Sequence, residues 1–291
     1  MGGQEIEVNH VAVTVLVALA TAASAVGQTP ACAALDDRQR QVADEILGSE
    51  YLYDCCDDTI SRCLEAHPTS RLAVLVADDV CRRVVAGEDA PQIRRALSRR
   101  ARSMVGGGAP AEVDLDAASI FGRSDAPVTV VIYACARCPY CSKLIPALYG
   151  AVKDGPLRSD ARLAFRIFPI RGHEGSTEAG LGFAAAAAMD RFWPFMLHAY
   201  GHFDSFSAKR QVEWAAAVGL DPAEFAARLE DPATRAALVA SKKEGLVNEV
   251  EETPTLFVNG RRWVGDLELG EIVSAVEEEA ARVKGELCGT D

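Results

Sequence analysis

The run Val128-Thr129-Val130-Val131-Ile132-Tyr133 leads within a few residues to Cys138-Pro139-Tyr140-Cys141, and a helical pattern then continues to about Val152. A β-branched run without polar alternation reads as a strand buried on both faces. Pro139 suits an early helical position, where a missing N–H costs nothing. A buried strand that feeds a helix calls for an α/β layer architecture, with the two cysteines at the junction. The first N–H groups of a helix are unpaired and carry partial positive charge. A thiolate at Cys138 is stabilised there, with a pKa in the range of about 3.5–7.5 known for such sites. Cys141 lies one turn further on. Cys138 is therefore the expected nucleophile and Cys141 the resolving thiol of a disulfide exchange.

Two other readings of Cys138 and Cys141 compete. Zinc needs four ligands, and no separate second Cys-x-x-Cys is present to complete a site. An inert structural disulfide is the other, and the strand-to-helix setting favours redox chemistry over it. Cys135 is read as a buried small residue, with a third redox partner as the alternative. Arg137 is expected to add positive charge beside Cys138.

The start of the chain bears on compartment. Val11 to Ala20 is apolar except for Thr14, and Ala23-Ser24-Ala25 fits a signal-peptidase site. The run is shorter than the roughly 20 residues of a membrane span. Glu5 and Glu7, with no Lys or Arg beside them, make an N-terminal anchor the rival reading of residues 1–25. Either way the remainder is expected in the periplasm or another extracytoplasmic space. All nine cysteines lie beyond Ala25, a usage natural to an oxidising compartment. Because nine is odd, at least one thiol is free or bonded between chains. A net charge of −12 repels nucleic-acid phosphates and anionic membranes, so neither is expected as a partner.

Residues 26–105 read as a small α-helical domain. Leu35, Val42, Ile46 and Leu47 share one helical face, and Asp57 and Asp58 cap a short helix that His67-Pro68 ends. Leu72, Leu75, Val76, Val80 and Val84 form the next stripe. A last helix after Pro91 turns Ile93, Leu97 and Met104 inward and Arg94, Arg95, Arg99 and Arg100 outward. The stretch 106–112 is a glycine-rich linker. From 113 to 285 the order is strand, helix, strand (Leu163 to Phe168), a helical insertion over about 176–250, a hairpin and a final helix from Leu267 to Val283. Asn259-Gly260 is a type I′ turn signal within that hairpin. Cys55, Cys56, Cys63 and Cys81 read as disulfide staples of the first domain. On a continuous helix over 56–63, Cys56 and Cys63 are about 10 Å apart, which favours bonding to Cys81 instead. Glu277-Glu278-Glu279 is expected on a solvated face, and His173, in a loop that could lie near Cys138 and Cys141, is read as a surface loop histidine, since one His alone completes no site. Phe192, Trp193, Phe195, Met196, Tyr200 and Phe203 are expected to fill the core of the insertion.

Glu252-Thr253-Pro254-Thr255 precedes the Leu256-Phe257-Val258 strand. With Cys-Pro-Tyr-Cys, the helical insertion, Thr-Pro-Thr-Leu-Phe-Val-Asn-Gly and the last helix, the region from about Asp114 to Val283 resembles the DsbA-like branch of the thioredoxin superfamily. The resemblance implies a thioredoxin fold with an all-helical insertion, preceded here by the small helical domain. It implies that Pro254 is a cis-proline facing the redox pair, and that Thr253 offers backbone bonds to a substrate polypeptide. Pro139 and Tyr140 between the cysteines resemble the dipeptide of DsbG-type proteins, and Thr253 before the proline resembles the DsbC and DsbG isomerases. The implied activity is thiol–disulfide exchange with exported, cysteine-containing proteins, recycled by a membrane or soluble redox partner. Isomerase or chaperone work, or reduction serving cytochrome or copper-site maturation, is the alternative. No metal or organic cofactor is implied. Extra N-terminal modules dimerise the isomerases, so a homodimer through the first domain is expected by analogy.

Overall fold

A computed structural model describes residues 29–115 and 119–289. The segment read as signal peptide or anchor lies outside the described residues. The described residues open with four helices, α1 (Pro30–Ala33), α2 (Asp37–Ser49), α3 (Ile60–Ala66) and α4 (Arg71–Val85), followed by α5 (Ala90–Val105). Their starts are set by side chains that satisfy the free first-turn N–H groups. Asp36 with Gln39, and Asp89 with Gln92, form reciprocal capping boxes, and Ser70 accepts from Ala73 N–H.

The sheet has five strands in the order β1-β3-β2-β4-β5. These are β1 (Ser119–Gly122), β2 (Val128–Ala134), β3 (Ala161–Ile167), β4 (Thr255–Val258) and β5 (Arg261–Arg262). β2 pairs parallel to β3, while β1 runs antiparallel to β3 and β4 antiparallel to β2. The parallel pair is joined through α6 (Pro139–Lys153). Five helices, α7 (Ser176–Ala188), α8 (Phe192–Gly201), α9 (Ala208–Ala217), α10 (Pro222–Glu230) and α11 (Pro232–Val247), lie between β3 and β4, and α12 (Leu269–Lys284) follows β5. This is a thioredoxin fold with a helical insertion, preceded by a further set of helices. Among the described residues, no helix is long and apolar enough to cross a membrane.

Strand alternation explains the burial of β2. Val128, Val130, Ile132 and Ala134 face one core, with Ile145, Leu148, Ile272 and Val276. Val131 and Tyr133 face the other, with Ala164, Phe168, Val250 and Phe257. Phe192, Trp193, Phe195, Met196 and Tyr200 are buried in the first of these cores. In the hairpin, Asn259 and Gly260 both have positive φ, 46° and 82°, the backbone a type I′ turn needs. The short strand β1 carries no readable period.

The first helices build their own apolar cluster, which also takes in Ala281 and Leu287 from the end of the chain. Here the sequence expectations need correcting. Arg100 does not face water, and Glu278 and Glu279 are not solvated. Glu278 is 0% exposed and Arg100 1%. The Arg100 guanidinium meets Glu278 Oε2 at 2.9 Å and donates to Ser274 Oγ at 3.0 Å and to Tyr53 Oη at 3.2 Å. Tyr53 donates to the same carboxylate at 2.5 Å. Burial there pushes the Tyr53 hydroxyl well above its usual range. Glu279 accepts from Asn259 Nδ2 at 2.9 Å and pairs with Arg261. The acidic face of α12 is thus matched by Arg100 from α5 and Arg261 from β5, which only the tertiary packing brings to it.

The cysteine pairing also differs from expectation. Cys81 bonds Cys32, Cys55 bonds Cys288 and Cys56 bonds Cys63. The helix begins at Ile60, with Thr59 at its N-cap, so residues 56–59 are free to fold back. Cys56 and Cys63 come within 6.0 Å between Cα atoms, which a bond can span. The Cys55–Cys288 bond ties the loop before α3 to the segment beyond α12.

Replacing Arg100 by Ala leaves Glu278 buried without its cation. The expected loss of unfolding free energy is about 3–5 kcal/mol, read from urea denaturation. Arg100→Met with Glu278→Leu should recover most of it; a single-variant loss below about 1 kcal/mol contradicts the buried pair.

Candidate active site

β2 ends at Ala134, and the chain turns sharply so that Cys138 N–H donates to Cys135 O at 3.1 Å. Cys138 is the N-cap of α6 with extended backbone (φ −93°, ψ 123°), and Pro139 takes the first helical position. Ser142 N–H donates to Cys138 O at 3.1 Å, which starts the helical ladder. This arrangement points the unpaired N–H groups of the first turn toward the Cys138 sulfur. Tyr140 stands out at 72% exposure, whereas Cys138 is 1% and Cys141 0% exposed.

The structure brings the segment before β4 against this turn. Cys138 Sγ lies 3.2 Å from Thr253 O. The Thr253–Pro254 peptide is cis, and Pro254 is buried. Thr255 Oγ1 donates to Glu252 O at 2.8 Å and fixes the loop from behind. Thr253 Oγ1 is buried with no partner in the hydrogen-bond network. All six residues singled out in sequence, Cys138, Pro139, Tyr140, Cys141, Thr253 and Pro254, lie on these two facing segments.

The electrostatics of the two thiols are opposite. Cys138 is lowered to about 5, first because the Cys141 thiol donates to its sulfur. Burial opposes the shift, but the Cys141 and Tyr140 backbone N–H groups add further stabilisation. The Thr253 carbonyl accepts from the neutral Cys138 thiol and so works against ionisation; the donors outweigh it. Cys141 is pushed well above the usual thiol range by burial and by its hydrogen bond to Cys138. One thiol is thus an anion at neutral pH and its neighbour a proton donor.

Three residues around the turn were misread or missed in sequence. Arg137 is held between the Phe203 and Phe206 rings, 4.4 and 4.8 Å from their centroids, and donates to Phe203 O. Its guanidinium anchors the loop after α8. His173 is half-buried, not a free surface residue, with Nδ1 3.4 Å from Cys135 Sγ. Tyr200 Oη donates to Cys135 O at 3.2 Å and braces the turn from the insertion. No local pattern marks Tyr200 or Arg137, because their partners lie 65 and 66 residues away. Among the described residues, the group of metal-ligand type that converges within 4.8 Å is Asp54, Cys55 and Cys288, and both of its sulfurs are in a disulfide.

The sequence profile described as Thioredoxin matches residues 116–278, more than half of the chain. The chain belongs to the thioredoxin family. Its fold is similar to that of BdbD from Bacillus subtilis, with a TM-score of 0.53, 20% identity, and coverage of 59% of this chain and 97% of that one. It is also similar to α-DsbA1 from Wolbachia pipientis, with a TM-score of 0.51, 17% identity, and coverage of 60% and 96%. Curated relatives include the Na(+)/H(+) antiporter NhaA 1 of Mycolicibacterium gilvum, 28% identical over 170 residues, and NhaA 3 of Salinispora tropica, 30% identical over 189 residues. The alignments take in 57% and 63% of this chain but only 27% and 28% of those relatives. The chain thus spans about a quarter of the length of the curated relatives it matches.

Titration of the reduced protein, followed by ultraviolet thiolate absorbance, should show one thiolate appearing with a midpoint near pH 5. Alkylation of Cys138 should fall about tenfold per pH unit below that midpoint, as the thiolate is the reactive form. A midpoint in the ordinary thiol range contradicts the electrostatic account.

Proposed function

We propose that the protein is a thiol–disulfide oxidoreductase that exchanges disulfides with cysteine-containing polypeptides outside the cytoplasm. The observation that carries this reading is the Cys138 thiol at the start of α6, held 3.2 Å from Thr253 O and lowered to about 5. In the donating direction, a substrate thiolate attacks Cys138 of the Cys138–Cys141 disulfide, and Cys141 leaves and takes up a proton. A second substrate thiolate then attacks its own sulfur in the mixed disulfide and expels Cys138 as thiolate. The exposed Tyr140 and the Thr253-Pro254 loop flank the sulfur, and the Thr253 backbone serves to align an extended substrate chain.

The low pKa of Cys138 favours the donating direction. A stable thiolate is a good leaving group and stabilises the reduced enzyme, which makes its disulfide oxidising. The enzyme is then recharged by a membrane or soluble partner that accepts electrons. Isomerase work also attacks with the thiolate, chaperone work needs neither thiol, and a maturation reductase works against an oxidising potential. Three disulfides support an oxidising compartment for the protein itself. The antiporter names of the relatives belong to proteins almost four times as long as the aligned stretch, and ion transport forms no part of this proposal. Homodimerisation rests on analogy alone.

Cys138→Ser should abolish oxidation of a reduced, unfolded substrate. With Cys135 also replaced by Ala, so that no other free thiol stands beside Cys138, Cys141→Ala should accumulate a mixed disulfide with the substrate, seen on non-reducing gels. Undiminished oxidation by Cys138→Ser sinks the reading.

A further inference from the structure

Six of the nine cysteines are taken up in three disulfides, and the three that remain, Cys135, Cys138 and Cys141, repeat one spacing. Cys138 is thus shared by two overlapping Cys-x-x-Cys pairs, of which the reaction above uses one. The Cys138 N–H bond to Cys135 O, 3.1 Å long, closes a four-residue turn. The ends of such a turn lie within about 7 Å between Cα atoms. Disulfides span roughly 4.4–6.8 Å, so a bond between residues 135 and 138 is within reach.

The surroundings of Cys135 are those of a working thiol rather than a packing residue. Its sulfur contacts His173 Nδ1 and the Arg137 N–H, each at 3.4 Å. His173 in turn lines a cavity of about 650 Å³ with Arg171, Ser176 and Lys242, which gives the imidazole an outlet for a proton. Burial raises the Cys135 thiol, and the charge of a Cys138 thiolate raises it further. That second effect vanishes once Cys138 enters a disulfide, so Cys135 becomes easier to ionise when there is a bond for it to attack. Cys135, Cys138 and Cys141 do not converge within 4.8 Å, which suits pairwise bonding rather than a shared ion.

We propose that Cys135 is a second resolving thiol, with His173 as its proton acceptor, so that the enzyme has two oxidised registers, Cys138–Cys141 and Cys135–Cys138. This deepens the redox reading and rests on it. The Cys135 proton passes to His173 Nδ1, and the thiolate turns about χ1 toward Cys138. The Cys135–Cys138 bond forms as the Cys138–Cys141 bond breaks, and Cys141 leaves as thiolate and is protonated. One disulfide and one thiol stand on each side, so no oxidant is consumed. In a mixed disulfide at Cys138, the partner's sulfur is the leaving group instead.

Cys141→Ala, treated with glutathione disulfide, quenched in acid and mapped by mass spectrometry, tests this directly. The expected result is release of glutathione from Cys138 and a Cys135–Cys138 disulfide. The Cys135→Ala, Cys141→Ala double variant should keep its glutathione, with release at least tenfold slower. His173→Gln on the Cys141→Ala background should slow release at neutral pH and lose that deficit at alkaline pH; a merely structural histidine gives a deficit at every pH. Cys141→Ser serves in place of Cys141→Ala should the latter not fold. A stable Cys138–glutathione adduct with free Cys135, released no faster than in the double variant, overturns the proposal. A Cys138 left as a free thiol, in neither an adduct nor a disulfide, in this variant and in the wild-type protein alike, overturns the redox reading itself.

Discussion

A negative sulfur at the N-terminus of α6 is the constraint around which the structure is organised. Charge on a buried atom is costly unless donors meet it. Here the donors come from the first turn of a helix that is obliged to leave them unpaired, and from the neighbouring thiol. β2 has to deliver Cys138 to that point, which explains a strand buried on both faces and a tight turn locked by the Cys138–Cys135 bond. The loop carrying Pro254 has to close the other side. Its register is set by β4 pairing with β2, where Leu256 faces Ile132 and Thr255 faces Tyr133. Chemistry and sheet topology are therefore one requirement.

The second organising contact is α12. One side packs under β2 through Ile272 and Val276. The other presents Glu278 and Glu279 to arginines from α5 and β5, while Ala281 and Leu287 enter the apolar cluster of the first helices. The Cys55–Cys288 bond fastens the same junction covalently. Ion pairs as deeply buried as Arg100–Glu278 contribute little net stability, because desolvation offsets attraction, but they penalise any other docking that leaves a charge alone. The glycine-rich segment 106–110 permits mobility in principle, and these contacts remove it.

The placing of Cys138 and Cys141 where a strand meets a helix, and the strand–helix order, were legible in sequence because their signals are local. The β-branched period, the proline at the start of α6, Asn259-Gly260 and the Thr253-Pro254 pair each act within a few residues. What escaped depends on distant partners. Arg100 and Glu278 both sit on charged helix faces that look solvated until 178 residues of separation are closed by folding. Cys56–Cys63 escaped because a continuous helix over 56–63 holds the two cysteines apart, whereas α3 begins only at Ile60, and element ends are the least determined feature of a local pattern. His173 escaped because its partner Cys135 lies on another element. In each case the local grammar gave the element and tertiary contact gave the residue its role.

Equilibration of the Cys138–Cys141 pair with glutathione buffers measures how far the protein favours the thiolate state. A reduction potential less negative than about −200 mV is expected, on the side of known disulfide donors. A potential near the roughly −270 mV of thioredoxin contradicts the account, since the stabilisation of the Cys138 thiolate is then not expressed in the couple.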